Sequence, residues 1–169
     1  MKQAWLKQNS SSVLVLLAVL ALVLLMGVQM RQRGNPNPVA YPGPSGLPQV
    51  VLKENGVHQY VVTGRINGEP VEFLVDTGCA DVAMSYWLAQ RLRLPLQQGE
   101  MHVTGNGNVQ GWSARLDSVD VGGLIVRQVN ATVLPNLQGG QVLLGMAYLR
   151  HMEVILAGGE MTLRPDVNR

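Results

Sequence analysis

The pattern of apolar and polar positions divides the chain into two regions. Residues 13–28 form an unbroken apolar block, and no charged residue occurs between Lys7 and Arg31. From Val50 onward, apolar residues come in short runs separated by Gly, Asn and Asp, which is typical of β-strands joined by turns. A helix through the apolar block, at about 1.5 Å per residue, is long enough to cross a hydrocarbon layer of about 30 Å. The pattern therefore predicts one N-terminal transmembrane helix and then an all-β domain.

The N-terminal region is predicted to have three parts. Residues 1–9 form a basic tail, residues 10–30 a transmembrane signal anchor, and residues 31–49 a Pro/Gly-rich linker. Five of the nine prolines lie in residues 34–48, so this segment is expected to stay extended as a stalk. The alternative to an anchor is a cleaved signal peptide, but the end of the apolar block offers no convincing small-x-small cleavage site. The flanking charges slightly favour an N-terminus on the inner side.

Residues 50–169 are predicted to form one compact β domain with one or two short helices, which indicates a barrel or a sandwich. The Asn67-Gly68 pair is typical of a hairpin turn, and Ser85 is placed to cap a short helix over residues 86–92. Residues 146–150 are expected to form one helical turn or two. Strands are expected at residues 57–63, 71–75, 81–85, 100–104, 109–121, 124–134, 141–144, 152–156 and 160–164.

Composition and charge support this division. Charged residues make up 14% of the chain, against about 25% in an average soluble protein. Residues 1–50 carry four basic residues and no acid, whereas the rest carries nine basic and eleven acidic residues, giving net charges of +4 and −2. No cluster of Arg and Lys with interleaved aromatic residues occurs, so nucleic acid is not an expected partner.

Candidate chemistry centres on Asp76, which follows the apolar run that ends at Val75. The next residues, Thr77 and Gly78, offer a hydroxyl group and a backbone able to turn sharply. This arrangement presents one carboxylate in a tight loop at the end of a buried strand. The alternative is a turn aspartate of the kind found in any β domain. The chain holds one cysteine and three scattered histidines, so neither a metal site nor a cofactor is predicted.

Two motifs in order resemble those of retropepsin-type aspartic proteases. Phe73-Leu74-Val75-Asp76-Thr77-Gly78 looks like their active-site motif, and Leu143-Leu144-Gly145, ahead of a short helix, looks like their second signature. The similarity covers about residues 50–165, and the anchor–linker–domain layout is similar to that of bacterial membrane-anchored members. The resemblance implies a closed β-barrel of the acid-protease fold. It also implies a domain in the periplasm, tethered to the bacterial inner membrane through residues 10–30.

The same resemblance assigns roles to individual residues. Asp76 would be catalytic, with Thr77 bonding across a dimer and Gly78 accepting contacts from the substrate backbone. The hairpin over residues 101–113 would be a flap that closes over an extended peptide. Residues expected in or next to the substrate-binding surface are Cys79, Ala80 and Asp81. The flap tip would consist of Val103, Thr104, Gly105, Asn106, Gly107 and Asn108.

Aspartic proteolysis needs two carboxylates at close range, and this chain has a single Asp-Thr-Gly. The other Asp-x-Gly, Asp120-Val121-Gly122, lacks the hydroxyl residue and reads as a turn. The expected active form is therefore a homodimer in which each subunit contributes Asp76. The predicted function is that of a membrane-anchored aspartic endopeptidase acting on protein or peptide substrates. The alternative is an inactive, membrane-tethered module for dimerisation or peptide binding.

The sequence departs from the family pattern just after the motif. Cys79 stands where such enzymes often have Ala or Ser, and it is either a small packing residue or a redox switch. Ala80 lacks a hydroxyl group that some relatives have. Asp81 is expected either to contact the substrate backbone or to form an ion pair with a residue such as Arg150.

Overall fold

The computed structural model describes residues 2–37, 39, 41–42, 48–104 and 107–166. The chain forms two compact units, Met1–Gly34 and Asn35–Arg169. The helices are α1 (Lys2–Gly34), α2 (Tyr86–Arg91) and α3 (Met146–Leu149). The strands are β1 (Tyr41–Pro42), β2 (Val50–Lys53), β3 (Val61–Ile66), β4 (Glu69–Val75), β5 (Val82–Ser85), β6 (Gln97–Thr104), β7 (Gly107–Val121), β8 (Leu124–Leu134), β9 (Gln141–Leu144), β10 (Met152–Ala157) and β11 (Glu160–Pro165).

The first unit is the single helix α1, which extends beyond the predicted anchor at both ends. Its segment Val13–Met30 has a mean hydropathy of 2.8, and none of that segment is buried against the protein. By length and composition this one helix is able to cross a membrane.

The second unit is a closed β-barrel, which confirms the predicted fold class. Its main sheet has the order β3-β4-β9-β5-β8-β7-β6, and an additional pairing of β3 with β7 closes six of these strands into a ring. The closing strands approach closely at Gly64, where a Cβ atom would lie 2.4 Å from the carbonyl oxygen of Asp120. Only glycine allows this contact, so the closure depends on a residue with no side chain.

One core cluster of buried apolar side chains joins the barrel strands to α2, α3, β2 and β11, and many of the strands bury alternate residues. Tyr148 is fully buried, and its hydroxyl group donates to the carbonyl oxygen of Leu124 at 2.8 Å. Burial raises the pKa of this hydroxyl above its usual range, so Tyr148 stays neutral. The largest fully buried side chains are Tyr148, Phe73, Leu52, Ile66, Met84, Leu88, Leu116, Leu144, Leu149 and Leu163.

Most elements lie close to their predicted positions. Asn67-Gly68 joins β3 to β4, and the Ser85 hydroxyl group accepts from the Leu88 backbone to cap α2. The predicted strand over residues 57–63 begins only at Val61. The residues before it are held in a turn, since the Asn55 side chain accepts from two of their backbone N–H groups. This side-chain bonding competes with strand pairing.

Part of the predicted linker is attached to the barrel. Asn37 is buried, and its side-chain amide donates to the carbonyl oxygens of Lys53 and Val61, both at 2.8 Å. Its Oδ1 accepts from the Lys53 backbone at 2.8 Å. Asn35 donates to the hydroxyl group of Thr63 and to a carboxylate oxygen of Glu72. The folded unit therefore includes Asn35 and Asn37, although the sequence places both in a stalk.

Candidate active site

Asp76 lies directly after β4, at the point where this strand leaves the barrel. β4 runs parallel to β9, and the Asp76 backbone N–H donates to the carbonyl oxygen of Leu144 at 3.2 Å. One residue earlier, the Val75 backbone N–H donates to the carbonyl oxygen of Tyr60 at 2.9 Å. These bonds fix the backbone on both sides of the strand end, so the position of Asp76 is set by the barrel.

The Asp76-Thr77-Gly78 loop turns back on its own carboxylate. The Gly78 backbone N–H donates to Asp76 Oδ1 at 2.9 Å, and the Cys79 backbone N–H donates to the Asp76 carbonyl oxygen at 3.3 Å. The Asp76 side chain is half-buried, whereas Thr77 and Gly78 are exposed. A bond to one carboxylate oxygen orients the group and leaves the other oxygen available to a reactant.

The second motif packs against the first, about seventy residues away in sequence. A Cβ atom on Gly145 would lie 2.0 Å from the carbonyl oxygen of Asp81 and 2.5 Å from that of Cys79. Glycine is therefore required here for close approach of two backbones. The next residue, Met146, donates its backbone N–H to the Cys79 carbonyl oxygen at 2.8 Å. The start of α3 thus clamps the loop that follows Asp76, while Leu144 is fully buried and Leu143 is half-buried.

Asp81 has a hydrogen-bond partner on β8 that the sequence motifs do not single out. Its Oδ2 accepts from the hydroxyl group of Thr132 at 2.8 Å. Thr132 is buried on β8, which pairs in parallel with β5, and the register places it opposite Ala83. The sequence signal for this contact is the hydroxyl-bearing residue within the otherwise apolar run from Ala131 to Leu134. Such a buried polar group requires a partner.

Cys79 is half-buried beside the candidate catalytic carboxylate. Burial raises the pKa of its thiol, a hydrogen bond from the Asp81 backbone N–H opposes this in part, and the nearby charges of Asp76 and Asp81 add smaller increases. The thiolate is the reactive form of cysteine, so this environment suppresses its reactivity. The packing and redox-switch interpretations of Cys79 both stay predictions.

An open cavity of about 460 Å³ adjoins the motif. It is lined by Thr77, Gly78, Cys79, Ala80, Met146 and Arg150. Ala80, next to Cys79, is exposed at this surface. Within the ranges that the structure describes, no group of three or more His, Cys, Asp or Glu residues is placed to hold a metal ion.

The predicted flap is the outer part of the β6–β7 hairpin. Val103 pairs with Asn108, and Thr104 pairs with Gly107, across the end of the hairpin. Gly105 and Asn106 lie outside the described residues. β7 pairs with β8 only from Trp112 onward, so residues 107–110, nearer the hairpin tip, pair with β6 alone. A two-stranded ribbon of this kind is weakly held compared with the barrel wall.

Comparison with known proteins identifies the class that this fold and site define. Residues 62–151, more than half of the chain, match the family model described as "gag-polyprotein putative aspartyl protease". A crystal structure of a retropepsin-like aspartic protease from Rickettsia conorii is similar, with a TM-score of 0.60 and 24% identity. The alignment covers 68% of this chain and 89% of that one. The chain belongs to the retropepsin-like aspartyl protease family, as the two motifs predict.

Two further similarities complete the comparison. An uncharacterized protein from the cobV 5′ region of a Sinorhizobium species is 29% identical over 123 residues. That alignment covers 70% of this chain and 53% of the relative, so this chain spans about half the length of that protein. The EIAV protease in complex with the inhibitor HBY-793 aligns with a TM-score of 0.47 and 21% identity, over 54% of this chain and 86% of that one.

Proposed function

We propose that this protein is a membrane-anchored, homodimeric aspartic endopeptidase that cleaves extended peptide segments. The observation that carries the proposal is the Asp76 carboxylate, half-buried at the end of β4 and oriented by the Gly78 N–H at 2.9 Å. A module that only binds peptides has no need of a carboxylate held in this way. Membership of an aspartyl protease family supports the same reaction.

The chemistry requires a second carboxylate, and the chain has one Asp-Thr-Gly. We infer that Asp76 of a second copy supplies it across a two-fold axis. Two carboxylates at close range share one proton, because neighbouring like charges do not both ionise. The ionised carboxylate takes a proton from water as the water attacks the peptide carbonyl carbon. The protonated carboxylate donates to the carbonyl oxygen, and a proton then passes to the leaving amine.

The residues around Asp76 have complementary proposed roles. Thr77 would bond to its counterpart in the dimer, and the Gly78 backbone would contact the substrate. The half-buried Cys79 and the exposed Ala80 would contribute to the substrate-binding surface, and Asp81 would be held by its hydrogen bond from Thr132. A peptide in extended form would lie between this loop and the β6–β7 hairpin. The hairpin would exclude water on closing.

The anchor and the linker would serve this dimer. We propose that residues 10–30 span the bacterial inner membrane, with the C-terminal domain in the periplasm. Confining two copies to one membrane raises their effective concentration, which favours a dimer that is weak in solution. Residues 31–49 would connect the anchor to the domain of residues 50–169, to which Asn35 and Asn37 are hydrogen-bonded.

Activity is tested with the full-length protein in dodecyl maltoside micelles and an unstructured protein pool as substrate. Asp76→Asn is expected to abolish cleavage across acid to neutral pH, because a neutral amide does not serve as the base. The matched control is Asp120→Asn, which changes the aspartate of the other Asp-x-Gly and is expected to retain activity. Equal cleavage by wild type and Asp76→Asn, or no cleavage by wild type, would support the inactive module instead.

The shared site is tested by mixing subunits. Wild type and Asp76→Asn are mixed in equal amounts in micelles and allowed to exchange. If each site needs two intact Asp76 residues, random pairing leaves roughly a quarter of the wild-type activity per total protein. Independent subunits would instead leave about half, since each wild-type chain would act alone. A monomeric sedimentation profile in every active sample would contradict the dimer.

A further inference from the structure

A basic cavity on the barrel lies apart from Asp76 and has no part in the proposed reaction. Its volume is about 320 Å³, and the residues that line it are Arg115, Arg127, Gln128, Asn130, Ala147, Arg150 and His151. Three of these carry a guanidinium group. None of the described residues that line the cavity is acidic. Arginine side chains grouped around one concave surface give it a positive potential, which favours an anionic ligand.

Local backbone geometry supports a built site. Gln128 has φ of +55° in the middle of β8, a left-handed conformation that is rare for a non-glycine residue. In the pairing of β8 with β7, Leu116 lies opposite Val129 and Ser118 lies opposite Arg127. Between these two pairs, the alternation of buried and exposed residues along β8 breaks. Arg127 and Gln128 are consecutive, yet both are exposed. A regular strand would turn one of them inward, so the irregularity places both beside the cavity.

Arg115 is held in place by hydrogen bonds to two neutral side chains. Arg115 Nη1 donates to Asn130 Oδ1 at 2.7 Å, and Arg115 Nε donates to Gln128 Oε1 at 3.4 Å. These partners orient the guanidinium group without cancelling its charge. Asp81 and Arg115 both line a neighbouring cavity, where Asp81 Oδ2 accepts from the Thr132 hydroxyl group. Arg115 is thus oriented at the basic cavity by two neutral side chains.

We propose that this cavity binds a phosphate-type oxyanion. A phosphate group matches the planar fork of a guanidinium group, and its charge balances more than one arginine. The volume also exceeds that of a bare carboxylate and accommodates a phosphate ester. The two sources of this chemistry are free phosphate and the headgroup of an anionic phospholipid. The second source rests on the proposed membrane anchor, which would keep the domain near lipid.

Binding connects to the active-site loop through Arg150. This residue lines both the basic cavity and the open cavity beside Thr77 and Gly78. Its Nε donates to the Met146 carbonyl oxygen at 3.1 Å. An oxyanion at the basic cavity would therefore contact the helix that clamps the loop after Asp76. Anion binding at this cavity is tested independently of peptidase activity.

The test uses the full-length protein in dodecyl maltoside micelles, and binding is measured by calorimetry. Three probes are titrated, namely inorganic phosphate, dihexanoyl phosphatidylglycerol and dihexanoyl phosphatidylcholine. Arg127→Gln and Arg115→Gln are each expected to weaken binding about tenfold or more, as the loss of one charge-assisted hydrogen bond predicts. The matched control is Arg93→Gln, an exposed arginine outside the cavity, with an expected change within about twofold since salt screens net charge.

Each outcome decides the proposal. Binding of phosphate alone assigns the site to the free anion, and tighter binding of phosphatidylglycerol than of phosphatidylcholine assigns it to an anionic headgroup. The proposal fails if none of the probes binds at millimolar concentration. It also fails if Arg93→Gln weakens binding as much as Arg127→Gln, or if a pentaglutamate peptide binds where phosphate does not. Unchanged tryptophan fluorescence of each variant shows that the fold is intact.

Discussion

The loop around Asp76 and the β6–β7 hairpin are built in opposite ways. The loop is held by backbone bonds to β9, by the close approach at Gly145 and by a fully buried Leu144 beneath it. The outer hairpin pairs only with itself, and Met101 on it is 63% exposed. Segments with few buried contacts open at low free energy, whereas packed segments open only with the whole domain. This difference fits the proposed roles of Asp76 as a fixed reactive group and of the hairpin as a cover that moves over the substrate.

Stability and substrate recognition are expected to depend on different parts of this region. A change at the packed loop alters the free energy of unfolding and the geometry of Asp76 together. A change on the outer hairpin alters the contact surface with little effect on folding. Three substitutions in the full-length protein in micelles, each followed by urea unfolding and by cleavage, test this difference from the largest expected effect to the smallest.

The largest effect is expected for Gly145→Ala. The new methyl group would overlap the Asp81 and Cys79 carbonyl oxygens, so the loop must move or the motif must separate. We expect a loss of about 3 kcal/mol or more in the free energy of unfolding, together with loss of cleavage. The control is Gly140→Ala, where a Cβ atom meets nothing within 4 Å. Equal stability of the two variants would show that the loop is not clamped.

An intermediate effect is expected for Thr132→Val. This change keeps the shape but removes the hydroxyl group that donates to Asp81 Oδ2. The half-buried carboxylate then loses a partner, which is expected to cost about 1 kcal/mol and to lower cleavage through the loop. Thr132→Ser keeps the donor and serves as the matched variant. If Thr132→Ser is destabilised as much as Thr132→Val, packing rather than the hydrogen bond explains the role of Thr132.

The smallest effect on stability is expected for Met101→Ala. Because this side chain is exposed, the free energy of unfolding should change by less than about 0.5 kcal/mol. If the hairpin covers the substrate, kcat/KM should still fall about fivefold, which corresponds to about 1 kcal/mol of lost apolar contact. Ile125→Ala, on an exposed strand position elsewhere, controls for surface truncation. Unchanged kcat/KM in Met101→Ala would separate this part of the hairpin from substrate binding.

Much of the fold was predictable because its elements are encoded locally. Alternating apolar residues, the Asn67-Gly68 turn and the Ser85 cap place α2 and the strands from β3 onward within a few residues of their observed bounds, whereas β1 and β2 were not predicted. The unbroken apolar block defines α1 for the same reason. The order of the two motifs was also sufficient to identify the family. Resemblance supplied the closed barrel, since period-2 patterns alone do not distinguish a barrel from a sandwich.

Contacts between distant residues were decided only by the tertiary structure. The Gly145 clamp, the Thr132–Asp81 bond and the grouping of Arg115 with Arg127 depend on the register and closure of the barrel, which local sequence does not specify. Asn37 is the clearest example. It lies in a Pro/Gly-rich segment whose composition predicts a stalk, yet its side-chain amide donates to backbone carbonyl oxygens of β2 and β3. By itself the sequence determined Asp76 and the strand that presents it. The tertiary structure decided what holds Asp76 in place, because those restraints come from residues far away in the chain.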